Sequence, residues 1–159
     1  MKTATITELK KELSAIPPAQ LAALCLRLAK YKKDNKELLA YLLFEAHDEQ
    51  NYIESVKAEI DEGFLEMSGD TLYITKKKLR KILRYTTKHI KYTGSRQAET
   101  ELLLYFCTKI QKAGLLKQNS TTLNNLYEQQ LKKIGKAIAA QHEDLQYDYQ
   151  KQLDTLLRG

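Results

Sequence analysis

Three histidines, two cysteines and one dense run of lysine and arginine are the residues of this chain with the most chemistry in them. Helical di-iron sites need Glu-x-x-His pairs projecting into a bundle. Phe44, Thr86 and Ala139 stand three places before His47, His89 and His142, so that pattern is missing. His47-Asp48-Glu49 and His142-Glu143-Asp144 put ligand types side by side. Successive helical residues diverge by roughly 100°, however, and cannot converge on one ion. Cys25 and Cys107 lie far apart, with no Cys-x-x-Cys spacing, and each falls inside an apolar helical pattern. Both are expected to be buried core thiols in a reducing cytoplasm. A Cys–His pair such as Cys107 with His89 would have to come from distant segments with nothing local to activate either, and no Gly-x-Ser-x-Gly, phosphate loop or dinucleotide fingerprint occurs. The expectation is a chain that is not an enzyme and uses no metal or other cofactor.

The basic run is the stronger feature. Residues 76–91 carry eight Lys or Arg and no acid. Leu79, Ile82, Leu83, Thr86 and Ile90 recur at helical spacing, which predicts an amphipathic helix with the cations on its outer side. Thr75 is placed to cap its start, and Gly94 to end it in the left-handed conformation. Leu72-Tyr73-Ile74 reads as a short extended or apolar lead-in. Lys77, Arg80, Lys81, Arg84, Lys88 and Lys91, edged by Tyr85 and Tyr92 with His89 between them, form the candidate surface for a nucleic acid or a partner. Clustered cations with aromatic neighbours suit phosphate contact and base stacking.

The charge pattern along the chain qualifies that reading. Residues 36–70 hold ten acids and two bases, whereas residues 71–96 hold nine bases and no acid. A short turn joins the two segments, so their helices are expected to run antiparallel. Glu54, Glu59, Glu62 and Glu66 would then lie beside Arg80, Arg84 and Lys88. Such pairing would weaken attraction for nucleic acid while adding little stability.

Other elements follow from local signals. Thr5 and Glu8 have capping-box spacing ahead of Ile6, Leu9, Leu13 and Ile16, and Pro17-Pro18 ends that helix and opens the next. Leu21, Leu24, Cys25, Leu28 and Tyr31 give the second helix its face. Asp34 with Glu37 suggests another capping box before Leu38–Phe44, which is apolar nearly all round. The fourth helix presents Ile53, Val56, Ile60 and Phe64. Ser95 and Ser120 are caps for two more, with Gly114 closing the first of them. The apolar segments 38–44 and 102–107 are both expected in the core, packed on each other. Residues 120–157 contain no proline, and the sequence leaves open whether they form one helix or two.

Few Pro and Gly, abundant Leu, Ala, Lys, Glu and Gln, and connections of two to eight residues make the chain all-α. The expected architecture is one domain over 1–159, with seven or eight helices in antiparallel hairpins stacked into an α-α superhelix. A closed bundle is the alternative. No signal peptide is read at the N-terminus and no apolar run approaches the roughly 20 residues of a membrane span, so a cytoplasmic location off the membrane is expected. Leu9–Ile16, Gln20-Leu21, Leu24, Leu28 and Lys36–Tyr41 together resemble the start of a family of uncharacterised bacterial all-helical proteins. The resemblance covers roughly the first 60 residues. It implies helical hairpins and brings no activity or site residues. The function expected is a non-enzymatic helical interaction or scaffold module that binds a protein partner. Non-specific RNA or DNA binding through the basic helix is the alternative. The oligomeric state is left open.

Overall fold

The computed structural model describes residues 1–159, and the chain is all-α, with eight α-helices and no strand. The chain divides into two compact units, Met1–Phe44 and Glu45–Gly159.

The first unit contains α1 (Ile6–Ser14), α2 (Pro18–Tyr31) and α3 (Lys33–Ala40), with a π-type turn over Tyr41–Glu45 at its end. The capping box forms as expected. Glu8 N–H donates to Thr5 Oγ1 at 3.2 Å and the Glu8 carboxylate accepts from Thr5 N at 2.7 Å. Pro18 opens α2, where its missing N–H costs nothing. The expected box at Asp34 and Glu37 does not form. α3 begins after Lys32 with no side-chain cap, and Asn35 instead donates to Leu28 O at 2.9 Å, tying α3 back to α2. Tyr41 is the one buried side chain among residues 1–44.

The second unit contains α4 (Glu49–Leu65), α5 (Leu72–Thr93), α6 (Arg96–Lys112), α7 (Thr121–Ala139) and α8 (Glu143–Arg158), with a 3-10 turn at Leu115–Gln118. Thr71, not Thr75, caps α5, so Leu72-Tyr73-Ile74 form its first turn rather than an extended lead-in. The β-type side chains there yield to a cap and to the packing of Leu72 on the core. Thr75 is buried inside the helix. Gly94 ends α5 at φ 59°, the left-handed conformation that glycine adopts without strain. Ser95 caps α6 and Ser120 caps α7. Residues 120–157 form two helices, parted at Ala140–His142, with His142 Nδ1 accepting from Asp144 N at the start of α8.

Successive helices of this unit are antiparallel, and alternate ones run the same way. Lys57 meets Glu101, and Phe64 meets Phe106, so α4 and α6 ascend together. Glu101 meets Tyr149, and Gln111 meets Leu156, so α8 joins them. α4, α6 and α8 therefore make one layer. α5 packs on α4 and α6, and α7 packs on α6 and α8, which makes the second. This is the alternation of stacked α-α hairpins. Gly63 brings α4 close to α5, because a Cβ there would stand 2.8 Å from Ile82.

α6 touches all four other helices of the unit, and Ala98, Leu102, Phe106 and Cys107 are fully buried. The expectation that residues 38–44 share this core is wrong. Leu42 is 57% exposed and Phe44 68%, and neither belongs to the buried cluster, which begins at Ile53. A segment apolar on every side is consistent with central burial but does not require it. Leu103→Asp is expected to destabilise the second unit by roughly 4 kcal/mol through an unpaired buried charge. Leu42→Asp should change stability by no more than about 1 kcal/mol. Denaturant melts of the two variants check both.

Candidate interaction surfaces

Lys77, Arg80, Lys81, Arg84 and Lys91 are exposed on the outer side of α5. Lys88 is half-buried. The expected ion pairs of Arg80 and Arg84 with the acids of α4 are absent. Glu59, Glu62 and Glu66 do lie across the α4–α5 seam from Lys78 and Lys81, lining a cleft of about 240 Å³ with them. Of these cations Lys78 closes an ion pair, to Asp70 in the turn before α5, at 2.7 Å. Lys78 Nζ also donates to Glu66 O at 2.9 Å.

The acids of α4 that do find partners turn towards α6. Asp61 accepts from Tyr105 Oη at 2.7 and 2.8 Å and from Lys109 at 2.9 Å. Lys57 bridges Glu54 at 3.0 Å and Glu101 at 3.6 Å, and Tyr149 from α8 donates to Glu101 at 2.8 Å. Burial works to raise the Asp61 carboxyl, but the hydrogen bonds from Lys109 and Tyr105 and the Lys109 charge outweigh it and hold it below the usual range. Burial first, and then the neighbouring carboxylate, pushes the phenols of Tyr105 and Tyr149 to about 12. This polar seam along the first layer escapes sequence reading. Its signal, Lys57 and Asp61 four apart on α4 matched by Glu101, Tyr105 and Lys109 at the same spacing on α6, becomes visible only once those helices are known to be parallel neighbours.

The tyrosines of the basic helix are not free for base stacking. Tyr92 is 8% exposed, a correction to its place on the candidate surface. His89 has ring centroids 4.3 Å from Tyr85, 5.3 Å from Tyr92 and 5.8 Å from Tyr52. Tyr52 Oη is also hydrogen-bonded to His89 Nδ1. Seven-residue spacing aligns Tyr85 and Tyr92, and both rings lie against His89 between them.

In the first unit, α2 and α3 enclose an apolar groove of about 260 Å³ lined by Cys25, Leu28, Ala29, Leu38, Leu39 and Leu42. Ile6, Leu9 and Leu13 on α1, Leu21, Leu24 and Leu26 on α2, and Leu43 and Phe44 beyond α3 are exposed as well. Cys25 is therefore exposed, against expectation, whereas Cys107 is buried as expected. Burial pushes the Cys107 thiol up to about 12. No three His, Cys, Asp or Glu side chains converge in a way that could hold a metal ion. No helix is long and apolar enough to cross a membrane.

No family model, curated protein or solved structure matches the chain.

Two outcomes follow from these environments. With a thiol reagent at pH 8, Cys25 is expected to react at once and Cys107 only on unfolding, read by counting modified thiols with and without denaturant. Tyr105 and Tyr149 hold their protons to about 12 in the folded state, above the ordinary value of 10.0, so their contribution is complete below pH 10 and is lost as pH rises through 12. Unfolding midpoints should fall across that window, and less steeply in Tyr105→Phe. A Tyr105→Phe protein with an unchanged slope would count against the seam.

Proposed function

We propose that the chain is a non-enzymatic interaction module whose first unit receives an amphipathic helix of a partner protein. The observation that carries this reading is the imbalance within residues 1–44. One side chain is buried, whereas leucines on all three helices, Ile6 on α1 and Phe44 beyond α3 stay exposed. Units of this size sit near the limit, roughly 40 residues, below which a chain needs external support to hold its fold. Contiguous apolar surface beyond a few hundred Å² marks an interaction site on soluble proteins. The groove between α2 and α3, lined by Cys25, Leu28, Leu38 and Leu42, suits apolar anchors at i, i+3 or i+4, and i+7 of an incoming helix.

A photo-crosslinking residue in place of Leu28, activated in cells, is the test. The expected result is one discrete adduct that is lost when Leu24 and Leu42 are both changed to Glu. An adduct ladder that survives those changes, or no adduct at all, would remove the reading. Light scattering of the purified chain over a range of concentrations separates a partner from a second copy.

Nucleic-acid binding is the second reading, favoured by the cations of α5 that no acid covers. The spent tyrosines argue for backbone contact without base stacking. Labelled single-stranded RNA and duplex DNA, titrated at roughly 50 and 200 mM salt, should then show affinity that falls steeply with salt and with Arg80→Glu/Arg84→Glu. Absence of binding at the lower salt would leave the face merely solvated.

A further inference from the structure

Two apolar surfaces of the first unit lie uncovered, and they are complementary. The first is on α1. That helix is nine residues long, its capping box is complete, and Ile6, Leu9 and Leu13 share one face of it. Every residue from 1 to 15 is exposed, so the face has no cover. Helices shorter than about 12–15 residues are marginal in water unless something packs on them. α1 has the caps of a stable helix and lacks the packing.

The second surface is the groove of about 260 Å³ between α2 and α3, to which α2 gives Cys25 and Leu28 and α3 gives Leu38, Leu39 and Leu42. Leu21 stands one helical turn before Cys25 and extends the α2 edge of the groove. Leu21 to Leu28 and Ile6 to Leu13 are equal steps along a helix, each roughly 10 Å. No residue of α1 lines the groove of its own chain. The connection from α1 to α2 runs through Ala15-Ile16-Pro17, and Pro17 is extended at ψ 149°.

We propose that two copies of the chain exchange α1, each copy's helix lying in the α2–α3 groove of the other. This rests on the reading of that groove as the receiver of an amphipathic helix, and it names the donor. Ile6, Leu9 and Leu13 stand at i, i+3 and i+7, the anchor spacing such a groove takes. Reciprocal exchange covers both surfaces on both copies and closes on a two-fold axis. A foreign helix in the groove would leave α1 bare. Exchange also supplies the support that a unit ending at Phe44 with one buried side chain needs, because chains of roughly 40 residues usually hold their fold through disulfides, metals or oligomerisation. Charge works against the contact. Residues 1–44 carry eight bases and four acids, so two copies repel each other until salt screens them.

Sedimentation of the whole chain over a range of micromolar concentrations tests the exchange. A monomer–dimer equilibrium is expected, at least as tight at about 200 mM salt as at about 50 mM. Leu9→Glu/Leu13→Glu and Leu28→Glu/Leu42→Glu alter exposed residues, and each should weaken the dimer by roughly tenfold or more with the helical signal intact. The two variants are then mixed, since one keeps an intact groove and the other an intact α1. The mixture should form a heterodimer, weaker than the parent because one contact closes in place of two. Mild oxidation of Leu9→Cys should join its new thiol to Cys25 of another copy, Cys107 being buried. A bridge formed within one chain would put α1 on its own groove and overturn the exchange. So would a mixture that fails to associate, or a dimer that dissociates as salt rises. A parent that stays monomeric overturns it as well, and the cellular crosslink from position 28 then decides the underlying reading. One discrete adduct to another protein keeps the groove as a receiver, and no adduct removes that reading too.

Discussion

Burial of α6 on every side is the constraint on which the second unit depends. A helix surrounded by four others must be apolar on several faces, and Leu102-Leu103-Leu104 with Phe106 and Cys107 meet that demand. The dispersion and hydrophobic terms gained there are the largest available to the unit. They also decide the topology. With α6 in the middle, α4 and α8 flank it in one layer, and α5 and α7 cover it from the other. The remaining polar groups of α6 must then be matched along the flanks, which is where Asp61, Tyr105 and Lys109 meet.

Sequence reading recovers what is decided locally. Thr5 with Glu8, Ser95, Ser120, Pro18 and Gly94 all act as their neighbours imply, because a cap involves only three or four residues and one backbone conformation. The all-α class and the antiparallel α4–α5 pair were legible for similar reasons. What a one-dimensional pattern cannot supply is the identity of the cover. Residues 38–44 and 102–107 have the same apolar character, yet the first run is exposed apart from Leu39 and Tyr41 and the second is the core. Cys25 and Cys107 divide the same way. A stripe states that a face is apolar, and only the fold states what lies against it.

The candidate surface on α5 was half legible. The cations were found because charge at helical spacing is visible in a string of letters. Tyr92 was misplaced because an aromatic residue at the edge of a basic face serves a seam as readily as a surface. The burial of Gln130 carries no sequence signal either. Glutamine is an ordinary helix former, and nothing in Tyr127–Leu131 distinguishes a buried amide from a solvated one. The difference lies in its 2% exposure, which is a property of three helices meeting.

The misjudged ion pairs have a physical cause that also explains the surface. α4 and α5 are antiparallel neighbours, so opposite charge on the two segments invites pairing across the seam. But α4 is also a neighbour of α6, and each of its residues can face only one way. Lys57 and Asp61, four apart, are both turned to α6, where Glu101 and Lys109 are partly buried and the interactions less screened by water. Ile53, Val56 and Ile60 occupy the adjoining arc. Glu59, Glu62 and Glu66 are left at the rim of the seam, facing Lys78 and Lys81 across open solvent. Arg80 and Arg84 lie beyond their reach, on the side of α5 away from the core. The segregation of charge along the chain thus persists on the folded surface of the second unit. The acidic helix turns Lys57 and Asp61 inward to α6, and Arg80 and Arg84 of the basic helix beside it stay exposed to solvent.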